Sequence, residues 1–368
     1  MKIVILNNLF PPNSHGGAEE AAKNQVNTFL VQGNEAVVLT LSPLNQFSVS
    51  RRSPDGAKGD VQSRDGIKIY ELRHRNIFNY FNIGKHSAPV RFLWHIIDVF
   101  NFHLANDIKK ILMTEKPDLV ICHNLKGLSY LTPFQIAKLK IENWQVVHDV
   151  QLYTPSGLIE YGKENVFEHT GFPTRMYRFF ARQLFKYAKK VFFPSAWLLN
   201  FYRKNDFFIN QEKILEANEA GFEIPPSPPL QRGEKEGFLY VGQLEPHKGI
   251  LFLMDVFEKI DAKLEVVGDG SLMPEIKKRA ELNPNIIVHG RVARAKLPEF
   301  YSRAAATIFP SLVYENAPMV IAESLSCGTP VIVSRLGGAP EIIREGENGA
   351  TFTPGDAADL VEKLKKFI

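Results

Sequence analysis

A chain of 368 residues exceeds what one ordinary hydrophobic core supports and suits two α/β domains. Its apolar share of 45% and charged share of 23% are those of a soluble globular protein, and a net charge of +4 is too small to make nucleic acid the main partner. Cys122 and Cys327 form neither a disulfide framework nor a zinc spacing, which fits a reducing cytoplasm, and no stretch approaches the ~20 apolar residues of a membrane span.

Residues 3–6 read as a first buried strand, followed by a loop with Gly16 and Gly17 and a helix over 18–31 that stops at Gly33. A strand over 37–39 completes a Rossmann-like opening that lacks the Gly-x-Gly-x-x-Gly fingerprint of a dinucleotide site. Residues 42–65 are polar and basic and read as a mobile surface loop. A strand follows over 67–72, then one long amphipathic helix over 92–113. The buried strand over 117–124 carries His123 at its carboxyl end, where ligands gather in open α/β sheets. Residues 146–149 repeat that pattern one strand on, which brings His148 and Asp149 to the same end of the sheet. Residues 151–173 make a long aromatic loop suited to covering a cleft.

From Arg175 to Lys190 two stripes share helical spacing. One is apolar (Met176, Phe179, Phe180, Leu184), the other basic (Arg175, Arg178, Arg182, Lys186). The helix either packs its apolar stripe on the core and hydrates its charges, or makes peripheral contact with an anionic membrane. A strand over 191–195 ends this half. Residues 225–237 hold four prolines, then charges and glycines, and cannot be a core element. The predicted domains are therefore 1–222, a linker at 223–236, and 237–368. Strands at 238–242, 264–268, 286–288, 305–309 and 330–333 alternate with helices, so both halves are parallel-sheet α/β domains.

Chemistry concentrates after the strand at 305–309. Glu315 precedes a helix for which Asn316 is the expected N-cap and Pro318 lies in the first turn; the helix carries Glu323 and stops at Gly328. Helix N-termini offer unpaired amides to anions. Amides for a diphosphate, one carboxylate for sugar hydroxyls and one for ribose hydroxyls are what a nucleotide-sugar needs.

Glu315 and Glu323 with seven residues between them, then Cys327-Gly328-Thr329-Pro330-Val331, then Gly337-Gly338-x-x-Glu341, resemble the donor-site motif of retaining GT-B glycosyltransferases, glycosyltransferase family 4 or group 1 glycosyl transferases. The run Tyr240 to Leu244 with Lys248-Gly249 is similar to that family's phosphate-binding segment, and Gly16-Gly17-Ala18-Glu19 to its first glycine loop. The resemblance implies two Rossmann-like domains facing across a cleft, the first binding the acceptor and the second the nucleotide-sugar. It implies transfer with retention to a hydroxyl of a glycan or lipid-linked acceptor, in cell-envelope polysaccharide or glycolipid assembly, at the inner face of the membrane and with no metal. It assigns Lys248 to the diphosphate, Glu315 and His123 to the donor sugar, Glu323 to the ribose, and Gly16 and Gly17 to the phosphate approach. Gly242, Gln243, Asn316, Ala317 and Pro318 are further donor contacts. Two departures stand out. Gln243 replaces the family's usual Arg, with Arg291 and Arg294 as other cations nearby, and the chain ends in a helix from Asp356 where the family continues with helices that return to the first domain. A nucleotide-sugar epimerase and a non-catalytic nucleotide-sugar-binding or scaffold protein therefore stay open beside the transferase.

Overall fold

Runs of residues buried on both faces set the two sheets. Ile3, Val4, Ile5 and Leu6 leave β1 (Lys2–Leu6) with almost no exposed side chain, as a strand covered by helices on both sides requires. The computed structural model describes residues 1–12, 16–43, 59–64, 66–215 and 237–367, so the expected linker and most of the 42–65 loop lie outside the described residues. In the first sheet β1 is joined by β2 (Glu35–Leu41), β3 (Gly59–Arg64), β4 (Ile67–Leu72), β5 (Leu119–Cys122), β6 (Glu142–Val146), β7 (Lys190–Phe193) and β8 (Glu212–Leu215). Their order is β3-β4-β2-β1-β5-β6-β7-β8, parallel except for the edge strand β3. The helix Gly17–Val31 lays Ala22 and Val26 on Ile3, Ile5, Val38 and Ile121.

The second sheet holds β9 (Phe238–Val241), β10 (Leu264–Val267), β11 (Ile286–Gly290), β12 (Ala306–Phe309), β13 (Val331–Ser334) and β14 (Gly349–Phe352). It is parallel throughout, in the order β11-β10-β9-β12-β13-β14. The helix Ile250–Phe257 presses Leu253, Met254 and Phe257 into a core with Phe238, Ile308 and Ile332. Both sheets are Rossmann-like. Each has one point where the strand order reverses, β1/β5 in the first and β9/β12 in the second, and such points open a crevice at the carboxyl ends of the strands.

The chain separates into two compact units, one of residues 1–157, 166–194 and 198–222, the other of 158–165, 195–197 and 223–368. Two short pieces of the N-terminal half thus belong to the second unit. Residues 158–165, part of the loop expected over 151–173, pair with the chain after β12: Glu160 bridges Val313 antiparallel, the Tyr161 amide donates to Leu312 O at 2.8 Å, and the Tyr314 amide to Ile159 O at 3.1 Å.

Three other expectations are corrected. The single helix over 92–113 is two, Ala88–Val99 and Phe102–Glu115. Its apolar spacing runs through the break, but Asn101 competes with the helical backbone: its Oδ1 accepts the Leu104 amide at 3.1 Å, and its Nδ2 donates to Arg75 O at 2.8 Å. The strand expected over 146–149 is β6, which ends at Val146; its buried Asn143 and Gln145 hide the strand from an apolar pattern. Residues 59–64, read as loop, form β3.

Asn101→Ala removes both bonds from a buried position and should cost about 1–2 kcal/mol. Urea unfolding of the two proteins measures it, with an unchanged slope if the helix break persists.

Candidate functional site

β9 leads into Gly242 and Gln243, then into a 3₁₀ turn, Pro246–Lys248, and the helix Ile250–Phe257. Gly249 between them has φ 75°, and a Cβ there would lie 1.9 Å from Pro310 O. Only glycine lets this turn rest on the chain that leaves β12. The contact brings the Lys248 ammonium to 3.0 Å from Glu315 Oε1, and Ser311 Oγ donates to the same oxygen at 2.7 Å. Lys248 and Glu315 thus meet at the β9/β12 reversal, each about one-fifth exposed.

The main chain of Glu315 is held from the other side by the turn after β13. The Gly338 amide donates to Glu315 O at 2.7 Å. Gly337 has φ 64° and would place a Cβ 2.1 Å from that same carbonyl oxygen; one on Gly338 would lie 2.2 Å from Asn316 O. This clamp corrects the expected helix start. Asn316 is not the N-cap and Pro318 is not in the first turn: the helix is Met319–Ser326, with Pro318 extended at the N-cap position (φ −64°, ψ 121°). Asn316 and Ala317 run along the glycine turn, and a residue before proline is disfavoured from helical backbone. The helix ends on Cys327, with Gly328 left-handed at φ 72°.

Glu323 lies on that helix and is fully engaged. Arg294 approaches one oxygen with Nε at 3.1 Å and Nη2 at 2.8 Å, and Tyr301 donates to the other at 3.0 Å. Burial and the carboxylate together raise the Tyr301 hydroxyl, so it stays a donor. Gln243 is exposed, its backbone carbonyl accepting the Tyr240 hydroxyl at 2.7 Å. Lys248, Glu315, Asn316, Ala317, Pro318, Gly242 and Gln243 therefore belong to two adjoining loops, and Glu323 to the helix that one of them feeds. Reading the sequence alone overlooked Ser311 and Tyr301, and named Glu341 within its motif without a role. Glu341 accepts the Ala196 and Trp197 amides at 2.7 and 2.5 Å, and Trp197 stacks on Tyr314 with centroids 5.3 Å apart. The signal for Glu341 was its place in the Gly337-Gly338-x-x-Glu341 run.

His123, Gly16 and Gly17 belong to the first unit. His123 follows β5 at the β1/β5 reversal and is 2% exposed. Its Nε2 lies 2.8 Å from Gln25 Oε1, and its Nδ1 lies 2.9 Å from His148 Nε2. With the Gln25 oxygen as acceptor, His123 donates through Nε2 and receives the His148 proton at Nδ1. Burial, then the neighbouring His148, hold His123 far below the ordinary histidine range, and burial lowers His148 to about 4. Both rings are neutral near pH 7. They line a small cavity with Asp149, Gln151 and Gln145. Burial raises Asp149 to about 6 and lowers the Lys126 ammonium. Gly16 precedes the helix Gly17–Val31, and its amide donates to Glu19 Oε2 at 2.8 Å, so a carboxylate already occupies one amide of this helix start.

Residues 235–368 match the family model described as glycosyl transferases group 1. This domain makes the chain a transferase enzyme of the glycosyltransferase type. The chain is similar, at 23% identity over 358 residues, to an uncharacterized 42.6 kDa protein in the cps region of Klebsiella pneumoniae, covering 94% of this chain and 88% of that one. At 26% identity over 310 residues it is similar to an uncharacterized glycosyltransferase of Methanocaldococcus jannaschii, covering 78% and 82%. Among solved structures, Anabaena HepE in complex with UDP-glucose has the same fold, with a TM-score of 0.65 and 16% identity over 100% of this chain and 89% of that one. The fold is GT-B, with its two Rossmann-like domains.

Gly337→Ala forces a side chain against Glu315 O and into a left-handed backbone, and should cost about 1–3 kcal/mol of stability. The variant should also lose affinity for nucleoside diphosphate, because the loop that carries Glu315 must move. Thermal unfolding and calorimetry read the two effects separately.

Proposed function

We propose that the protein transfers a sugar, with retention at the anomeric carbon, from a nucleoside-diphosphate sugar to a hydroxyl of a glycan or lipid-linked acceptor in polysaccharide or glycolipid assembly. The observation that carries this reading is the Lys248–Glu315 pair at 3.0 Å beside the start of the helix that bears Glu323. Lys248 and the first amides of that helix meet the diphosphate. Glu315, released from Lys248 by the ligand, accepts hydroxyl protons of the donor sugar. Glu323 accepts those of the ribose, oriented from behind by Tyr301. The bond from the anomeric carbon to the diphosphate oxygen breaks, the acceptor oxygen bonds to the same face, and its proton passes to the departing phosphate oxygen. The charge that develops on that phosphate is met by Lys248 and by amides, and the reading asks for no metal. UDP-glucose in the Anabaena neighbour supports a nucleotide-sugar donor.

Glu323→Gln keeps an acceptor for Tyr301 and removes the charge. Donor affinity should fall by about 1–2 kcal/mol, the difference between charged and neutral hydrogen bonds to two hydroxyls. Calorimetry with a panel of nucleoside-diphosphate sugars tests this. Unchanged affinity takes Glu323 out of the site, and binding without turnover against any acceptor pool favours a non-catalytic protein.

Gln243→Arg adds a cation where the leaving group gathers charge. A preorganised cation stabilises the transition state more than the ground state, so turnover should rise roughly ten- to a hundred-fold, in the presence of a chelator as in its absence. Gln243 is exposed, and the longer side chain disturbs no core. Equal turnover in the two proteins would show that Arg294 already fills the role.

A further inference from the structure

The helix Phe172–Phe185 turns its apolar stripe the wrong way for a core. Tyr177, Ala181 and Phe185 face inward, while Phe172 and Phe179 are 72% and 51% exposed, with Met176 exposed between them. Arg175 on this helix and Lys186 at its C-cap are exposed. The stripe expected to pack is therefore in part the solvent face. Arg178, expected on the basic stripe, instead turns inward: its guanidinium stacks 3.4 Å from the Tyr153 ring and donates to His169 O at 2.7 Å.

A second helix extends the surface. On Ala88–Val99, Val90, Leu93 and Ile96 are exposed at three-residue intervals, with Arg91 exposed among them. Phe100, at the end of that helix, packs edge-to-face on Phe180 at 4.8 Å, and Phe180 meets Phe179 at 5.4 Å. The two apolar rows are thus joined. Charge separates this face from an ordinary protein interface. The helix Phe172–Phe185 contains no acidic residue, the only acid on Ala88–Val99 is the buried Asp98, and Glu168 is the one exposed acid in the short helix Phe167–Thr170 that precedes the patch.

Large exposed apolar side chains interleaved with cations, with Glu168 the exposed acid at their edge, suit the boundary layer of an anionic bilayer. Rings enter between headgroups there, and long basic side chains reach lipid phosphates. Among the described residues no helix is long and apolar enough to cross a membrane, so such contact would be peripheral. We propose that this two-helix face docks on an anionic lipid leaflet, with Phe172, Met176 and Phe179 entering the headgroup layer and Arg91, Arg175 and Lys186 meeting phosphates. Its use in presenting a lipid-linked acceptor rests on the transferase reading; the docking itself needs neither donor nor turnover.

The test is co-sedimentation of the full chain with vesicles of phosphatidylcholine alone or mixed with phosphatidylglycerol, across a salt series. Binding should require the anionic lipid and weaken with salt. Phe179→Ser should lower the partition coefficient roughly ten-fold, with loss remaining at every salt concentration. The triple variant Arg91→Glu, Arg175→Glu, Lys186→Glu should abolish binding. All the altered residues are exposed, so thermal unfolding and nucleotide-sugar affinity should match the parent. Absence of binding to anionic vesicles at low salt overturns the proposal. So does sedimentation equilibrium that shows a dimer which Phe179→Ser dissociates while vesicle binding is unaffected: the face is then an interface between copies.

Discussion

The loops that carry Lys248 and Glu315 depend on backbone approaching backbone more closely than any side chain permits. Gly249 touches the carbonyl of Pro310, Gly337 that of Glu315 and Gly338 that of Asn316. In each case a single added carbon would sit within 2.2 Å of an oxygen. These contacts join the ends of β9, β12 and β13 into one rigid frame, and the direction of the Glu315 carboxylate follows from it. Gly268 repeats the device at the end of β10, where a Cβ would fall 1.8 Å from Gly242 O. Precision at this site comes from absent atoms, and the helix start is displaced to Met319 as a consequence.

The frame holds its charges in pairs. Lys248 rests on Glu315, and Arg294 rests on Glu323. Such pairs keep partly buried charges from standing alone, which is the costly state. They also shape what a ligand must do. A diphosphate that draws Lys248 away leaves Glu315 needing new donors, and hydroxyls on the same ligand can supply them. A ligand with both groups therefore exchanges one satisfied set for another, whereas a free phosphate strands a carboxylate. Discrimination of this kind comes from polar groups left unpaired by the wrong ligand.

Strands were legible wherever burial on both faces produced an unbroken apolar run, as at Ile3 to Leu6 and Phe238 to Val241. They were hidden where polar residues are buried, as with Asn143 and Gln145 in β6. Periodicity also misled at Asn101, because an apolar rhythm records which face packs and says nothing of where a side chain takes over the backbone's hydrogen bonds. Glu315, Lys248 and Glu323 stood out in the sequence through spacing and glycines. Their partners did not. Tyr301 is 22 residues from Glu323, and Arg294 is 29 away, on elements that only the sheet order brings together. The two segments at 158–165 and 195–197 were read with the half they occupy in sequence, because no composition signal marks a strand addition as short as the pairing of Glu160 with Val313.

The two reversal points differ in electrostatic character, and the difference follows from burial. At β9/β12 the cations and carboxylates are partly exposed and keep their pairing. At β1/β5 the titratable groups are pushed toward neutrality: His123 and His148 fall below the ordinary range, Lys126 is lowered, and Asp149 rises to about 6. Burial there disfavours the charged form of each of these groups. The crevice offers a relay of neutral hydrogen bonds running from His148 through His123 to Gln25, with each donor fixed by the acceptor beyond it. Hydroxyl groups match such a lining, since they both give and accept protons without bringing charge into a buried place. The paired charges of the second domain are ones that an anion can rearrange. One fold used twice thus yields two chemically distinct crevices, and the distinction rests on how deeply each set of side chains is buried.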